Sequence, residues 1–130
     1  MPYEGYECLK FRADRGVLFV SIDHPPINLF DLALIQEMDQ LGREIESDPN
    51  VRVAIFESAV PDFFIAHADV MLIQTLPTEV PPKSTELSPF HAMVDRFRTM
   101  PKATIAKIEG RARGGGSEFI LSLDMRFAAL

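Results

Sequence analysis

A glycine-rich segment that joins a predicted strand to a predicted helix decides the fold prediction for this chain. It occupies residues 104–123 and reads TIAKIEGRARGGGSEFILSL. Residues 104–108 indicate a buried strand, and residues 117–123 indicate a helix. Glycines at such a junction let backbone N–H groups approach a ligand closely, and a helix start adds partial positive charge. The segment therefore predicts an α/β fold with a site for an anion or a polarised oxygen where the strand meets the helix.

The N-terminal part of the chain predicts a hairpin followed by a helix. Residues 6–22 form two β-rich runs around a turn at residues 14–16. In residues 31–47 every third or fourth position is apolar, which is the spacing of one helix face, and Asp31 can cap that helix. The apolar positions of this face are Leu34, Met38, Leu41 and Ile45.

The remaining segments continue the alternation of strands and helices. Residues 52–57 and 104–109 predict two further strands of the buried type, and residues 88–99 a second long helix. An apolar loop at residues 63–69 leads into a short helix. Residues 75–89 contain four prolines and predict a mobile surface loop rather than a linker between domains. A last strand is predicted to begin at Met125.

Composition excludes several classes of protein. A chain of 130 residues predicts a single domain, and its net charge of −6 with no long basic stretch argues against nucleic-acid binding. No apolar run is long enough to cross a membrane. The acidic N-terminus and the single Cys8 favour a cytoplasmic location. The three histidines lack the spacing of metal ligands and Cys8 stands apart from them, so no metal site is predicted.

The glycine-rich segment lies in the basic part of the chain and contains a carboxylate suited to proton transfer. Residues 101–130 carry five basic and three acidic residues, whereas the rest of the chain is strongly acidic. Glu118 lies in the first turn of the predicted helix, and Phe119 and Ile120 beside it are apolar. A carboxylate next to anion-stabilising amides suits proton transfer beside a carbonyl. The alternative is a tight turn with an acidic residue favourably placed at a helix start. The spacing matches neither of the common nucleotide-binding glycine loops.

A second candidate segment is Ala66-His67-Ala68-Asp69. Its small residues allow close approach to the backbone, and Asp69 can cap the helix that follows. No hydroxyl nucleophile accompanies His67, so we interpret His67 as a structural or solvent-facing residue.

Five parts of the chain resemble, in order and in spacing, motifs of the enoyl-CoA hydratase/isomerase family, also called the crotonase family. They are HPPINLF at 24–30, DPNVRVAI at 48–55, FIAHADV at 64–70, PKATIA at 101–106 continued by GRARGGGSE at 110–118, and DMRFAA at 124–129. The resemblance implies a ClpP/crotonase-like spiral of ββα units, here a single domain over residues 1–130 that is truncated before the C-terminal helices.

The resemblance also implies a chemistry and a site. Family members that act on acyl-CoA thioesters in fatty acid metabolism hold an enolate in an oxyanion hole of two backbone N–H groups, which correspond here to Ala68 and Gly115. Glu118 corresponds to a catalytic glutamate. No cofactor is implied, because coenzyme A is part of the substrate, and a homo-oligomer, a trimer or hexamer, is expected. The implied substrate-binding residues are Ala66, Ala68, Asp69, Val70, Met71, Gly114 and Gly115.

Three departures from the family pattern leave the reaction open between a lyase and an isomerase. His67 stands where the family has glycine, Ile65 stands where it has serine, and the second glutamate of hydratases falls beyond Leu130. The chain ends within an apolar run, so we expect a fragment that exposes an apolar patch near residues 119–130. The alternative function is a crotonase-like module that binds CoA esters or supports assembly without turnover.

Overall fold

The computed structural model describes residues 3–130, so the first two residues of the predicted domain lie outside the described part. Strands and helices alternate along it. The strands are β1 (Leu9–Asp14), β2 (Val17–Ile22), β3 (Val53–Ser58), β4 (Phe63–Ile65), β5 (Ala103–Ile108), β6 (Arg111–Ala112) and β7 (Met125–Ala128). The helices are α1 (Leu32–Ser47), α2 (Val70–Gln74), α3 (Pro89–Thr99) and α4 (Gly115–Ser122).

Most of the predicted elements are confirmed. The hairpin, α1, β3, α3, β5 and β7 lie within about two residues of their predicted bounds, apart from residues 6–8, which precede β1. Helix α4 is also confirmed and begins two residues earlier than predicted, at Gly115. One prediction is wrong: residues 63–65, expected as loop, form β4, which pairs in parallel with β6. Strands β4 and β6 depend on each other across more than 40 residues, so local periodicity does not reveal them.

A five-stranded sheet in the order β1-β2-β3-β5-β7 forms the scaffold. The pair β1–β2 is antiparallel, and β2, β3, β5 and β7 run parallel to one another. The parallel strands therefore end at the same edge of the sheet, and the segments that leave β2, β3 and β5 start from that edge. Ligands of open parallel sheets bind at this kind of edge.

One face of the sheet carries the core. Leu18, Val20 and Ile22 of β2 alternate with half-buried residues, and so do Ala54 and Phe56 of β3. One face of each strand is thus buried and the other is half-buried. Strand β3 is one of the two strands predicted to be of the buried type. Phenylalanines join the sheet to the helices. The Phe56 ring lies 5.3 Å from Phe97 of α3 and 5.1 Å from Phe119 of α4, both edge-to-face.

A fully buried amide, Asn28, connects the ends of three strands. Its Nδ2 lies 2.9 Å from the Phe64 carbonyl oxygen, 2.9 Å from Ser58 Oγ and 3.3 Å from the Ile22 carbonyl oxygen. Its Oδ1 accepts a hydrogen bond from the His24 N–H at 2.8 Å. Asn28 has a φ of 51°, which asparagine tolerates better than most residues. This network sets the position of the segment that follows β4.

The segment before β1 is attached to the acidic side of α1. The hydroxyl groups of Tyr3 and Tyr6 donate to Asp48 and Glu44 at 2.7 and 2.8 Å. Burial, and then these hydrogen bonds, raise the pKa of both phenols. The Tyr3 hydrogen bond lowers the pKa of the Asp48 carboxyl. The N-terminal segment thereby adds polar contacts at the C-terminal end of α1.

The sequence suggested that Cys8 lies apart from the histidines, but the structure places it beside His24. It is buried, and its Sγ lies 3.4 Å from Nδ1 of His24, whose Nε2 lies 2.7 Å from Asp31. Burial, reinforced by Glu37, Asp31 and Glu7, raises the pKa of the Cys8 thiol to about 11. A protonated thiol is a poor nucleophile, so this cluster is structural.

Four apolar side chains near the end of the chain are exposed: Leu121 of α4, Met125 and Phe127 of β7, and Leu130. That they form one contiguous patch stays a prediction. Among residues 3–130 no helix has the length and apolar character needed to cross a membrane.

Replacing Asn28 with alanine should destabilise the fold. The Asn28→Ala change leaves buried partners without a hydrogen bond, and one such group costs about 1–3 kcal/mol. Asn50 provides a matched control, since its side chain is exposed. We expect urea denaturation to show that Asn28→Ala lowers the free energy of unfolding by at least that amount. Asn50→Ala should change the free energy of unfolding little. Equal stabilities of the two variants would contradict the role given to Asn28.

Gly116 allows α4 to pack directly on β4, so Gly116→Ala should also destabilise the fold. A Cβ there would collide with the Ile65 carbonyl oxygen and lie 2.9 Å from Ile65 Cβ. Overpacking of this kind costs about 1–3 kcal/mol. Gly42 of α1 is the control, because an added Cβ would meet only side chains, the nearest being Arg96 Cδ at 3.1 Å. We expect thermal denaturation to give a lower melting temperature for Gly116→Ala than for Gly42→Ala. The reverse order would contradict this packing.

Candidate active site

Ala68 follows β4 and pairs with Phe30 in a short parallel bridge. The Phe30 N–H donates to the His67 carbonyl at 2.9 Å, and the Asp69 N–H donates to the Phe30 carbonyl at 3.0 Å. In a trans peptide the C=O and N–H groups point in opposite directions. The Ala68 N–H therefore points away from Phe30. None of the hydrogen bonds described for residues 3–130 uses this N–H group.

Gly115 is the first residue of α4, and Gly114 before it has a φ of 51°. This left-handed conformation favours glycine and turns the chain into the helix. The first N–H groups of a helix have no partner within it, and Gly114 offers no side chain to cap them. In the described part of the chain, the Gly115 N–H also enters no hydrogen bond. The start of α4 thus presents a free donor together with the positive end of the helix dipole.

The structure brings the two predicted oxyanion residues together. A Cβ built on Gly115 would lie 3.4 Å from the Cβ of Ala68 and 3.6 Å from the Phe30 ring. The Arg113 N–H donates to the Ala66 carbonyl at 3.1 Å and so joins the segment before α4 to the segment before Ala68. Ala68 and Gly115 are therefore neighbours, although 46 residues separate them in sequence. Convergence of their N–H groups on one oxygen atom stays a prediction.

Glu118 lies one turn into α4, on the exposed side of the helix. Its side chain is 55% exposed, whereas Phe119 and Ile120 next to it face the core. The Glu118 carboxylate lies 3.9 Å from Nε2 of His91 on α3, and Nδ1 of His91 lies 2.9 Å from Ser88 Oγ. The apolar neighbours in the sequence thus do not surround the carboxylate. An exposed carboxylate with an imidazole beside it can exchange protons with a ligand or with solvent.

The other predicted substrate-binding residues line the same surface or support it. Ala66 is buried, and its N–H donates to the Ile27 carbonyl at 3.2 Å. Asp69 caps α2 by accepting the Met71 N–H at 2.9 Å. Val70 and Met71 of α2 are 53% and 68% exposed and form an apolar surface directly after Ala68. Gly114 lies beside His67, because a Cβ on Gly114 would be 3.8 Å from the His67 Cβ.

The described cavities lie away from this surface. One, of about 210 Å³, is lined by residues that include Tyr3, Gly16 and Asp48. Another, of about 370 Å³, is lined by residues that include Asp62 and Arg111. Neither is lined by Ala68, Gly115 or Glu118. At the candidate site Gly115 is buried, Ala68 is half-buried and Glu118 is exposed.

Sequence reasoning missed two neighbours of the site. Phe30 holds the Ala68 segment by its backbone, which no side-chain pattern can show. His91 lies on α3 and meets Glu118 only because α3 packs against α4. In residues 3–130 no group of three or more potential ligand side chains is arranged to hold a metal ion.

A family model and several curated proteins match most of this chain. The family model for enoyl-CoA hydratase/isomerase matches residues 12–130. Human mitochondrial methylglutaconyl-CoA hydratase is 33% identical over 121 residues, covering 89% of this chain and 34% of the human protein. Carnitinyl-CoA dehydratase of Proteus mirabilis is 34% identical over 119 residues, covering 92% of this chain and 44% of the Proteus protein.

Solved structures agree with the sequence comparison. An enoyl-CoA hydratase from Geobacillus kaustophilus superposes with a TM-score of 0.81 at 25% identity, over 95% of this chain and 46% of that protein. The chain thus spans less than half the length of these relatives, and the crotonase fold is present over the part they share. On its sequence and its structure, the chain belongs to the enoyl-CoA hydratase/isomerase family.

Proposed function

We propose that this chain carries the thioester-binding and enolate-stabilising part of an acyl-CoA hydratase or isomerase. The observation that supports it is the contact between Ala68 and Gly115, whose N–H groups enter none of the hydrogen bonds described for residues 3–130. One donor lies on a bridged loop and the other at a helix start, so both are held by backbone structure.

The two N–H groups would bind the thioester carbonyl oxygen. When a proton leaves the carbon next to the thioester carbonyl, negative charge moves onto this oxygen, and both hydrogen bonds become stronger. Fixed donors of this kind act without reorganising during the reaction, and the loss of one typically lowers kcat about 10²–10³-fold. The start of α4 adds its dipole to the same effect.

Glu118 would move the proton. It lies one turn after Gly115, about 4–5 Å further along the helix by the rise per residue. From there its carboxyl group can reach a carbon adjacent to a carbonyl bound at Gly115. The exposed apolar side chains of Val70 and Met71 would contact the thioester and pantetheine arm, because they directly follow Ala68.

A second candidate function is a CoA-ester-binding or assembly module without turnover. The exposure of Glu118 favours it, because proton transfer to carbon usually takes place in a site that excludes water. Turnover of an acyl-CoA substrate by the protein separates this candidate from the first.

We propose a homo-oligomer, a trimer or hexamer, from the family resemblance. The exposed apolar side chains of α4 and β7 are a surface that further polypeptide can cover. A cytoplasmic location is proposed from the single thiol, Cys8.

The substitution Glu118→Gln tests the catalytic function. It keeps the shape of the side chain and removes the exchangeable proton, so we expect kcat for an enoyl-CoA substrate to fall about 10²–10⁴-fold. The dissociation constant of the CoA ester should change little, because the backbone donors remain. Steady-state kinetics and calorimetry measure the two quantities.

Glu86→Gln is the matched control, because Glu86 is an exposed glutamate in the loop before α3. This substitution should leave both kcat and the dissociation constant of the CoA ester unchanged. If the Glu118→Gln protein turned over substrate as fast as the control, Glu118 would be a structural residue. If the protein bound CoA esters without converting any of them, the binding module would be the better description.

A further inference from the structure

We infer that His67 is a second proton-transfer residue of this site, with its Nε2 atom as a base that removes the α-proton of the bound thioester. The inference rests on the proposed function, since it needs a thioester at Ala68 and Gly115. His67 stands where the family pattern has glycine, so the family resemblance assigns it no role.

The hydrogen bonds of the bridge place the imidazole on the ligand side of the segment. The carbonyl of His67 and the N–H of Asp69 both point to Phe30. In the peptide between His67 and Ala68, the Ala68 N–H therefore points away from Phe30. In the peptide between Ala68 and Asp69, the Ala68 carbonyl also points away from Phe30. His67 Nδ1 lies 2.7 Å from that Ala68 carbonyl oxygen. The imidazole thus lies on the same side as the free Ala68 N–H.

The same hydrogen bond fixes the tautomer of His67. A carbonyl oxygen only accepts hydrogen bonds, so Nδ1 must carry the proton. In the neutral ring Nε2 then has a free lone pair. Among residues 3–130 no described hydrogen bond or ion pair occupies Nε2, and the side chain is exposed.

The second donor loop lies next to the same ring. A Cβ on Gly114 would be 3.8 Å from the His67 Cβ, and Gly115 directly follows Gly114. His67 is therefore flanked by the two segments that carry the Ala68 and Gly115 N–H groups. This position suits a group that acts on the carbon attached to the bound carbonyl.

The proposed step moves one proton from the α-carbon of the thioester to His67. Nε2 takes the α-proton, the C–H bond breaks, and its electron pair forms the enolate, whose oxygen accepts the two N–H bonds. Return of the proton from the imidazolium gives exchange at the α-carbon. With a β,γ-unsaturated thioester, Glu118 can instead deliver its proton to the γ-carbon, which shifts the double bond. Solvent then accepts the imidazolium proton and restores the proton of Glu118.

Exchange of the α-protons of butyryl-CoA in D₂O tests this step, because a saturated thioester can be neither hydrated nor isomerised. Proton NMR follows the exchange on the protein as it stands, and calorimetry gives the affinity. His67→Asn is the matched variant, since its amide can still donate to the Ala68 carbonyl and so retain the loop, but it has no base. We expect exchange to fall about 10²–10⁴-fold in His67→Asn with little change in the affinity for butyryl-CoA.

Chemical rescue by imidazole distinguishes a catalytic base from a side chain that only holds the loop in place. In His67→Gly, added imidazole should restore exchange in proportion to its concentration, and it should not do so in His67→Asn. Exchange that continues in His67→Asn, or that fails to respond to imidazole in His67→Gly, would overturn the inference and leave the proposed function standing with Glu118 as the base. Absence of exchange from the unchanged protein despite binding would overturn both the inference and the proton transfer proposed for Glu118. Failure of the unchanged protein to bind butyryl-CoA would overturn the inference and the whole proposed function.

Discussion

The buried amide of Asn28 is the interaction on which the site depends. It joins the segment after β2 to the ends of β3 and β4 by hydrogen bonds to Ser58 and Phe64. Two residues later, Phe30 pairs with the backbone on both sides of Ala68. The position of the Ala68 donor is thus set by a polar network inside the core. Since the Asn28 side chain has no contact with solvent, its hydrogen bonds are not in competition with water.

Glycines bring the second donor to the first. At Gly110 a Cβ would lie 2.7 Å from the backbone nitrogen of Phe63, and at Gly116 it would collide with Ile65. The chain can therefore lie against β4 both before and after the turn into α4. Gly115, between these contacts, meets Ala68. The start of α4 has no capping side chain because its N-cap residue is Gly114, whose φ of 51° favours glycine.

The sequence predicts those parts of the structure that depend on local periodicity. The apolar face of α1, its Asp31 cap and the turn of the hairpin are each encoded within a few residues, and the structure confirms them. The contact between Ala68 and Gly115 was expected only from family resemblance, because it joins distant segments. The short sheet of β4 and β6, the partnership of Glu118 with His91 and the tether of His67 to the Ala68 carbonyl were not predicted. Each depends on how separate elements pack.

The central claim is that Ala68 and Gly115 donate together to one carbonyl oxygen. Amide NMR of the ¹⁵N-labelled protein during titration with butyryl-CoA tests this most directly, because each N–H reports on its own hydrogen bond. The account predicts that the amide protons of Ala68 and Gly115 both move downfield and follow the same binding curve. Movement of only one of them, or of neither while butyryl-CoA binds elsewhere, would contradict it.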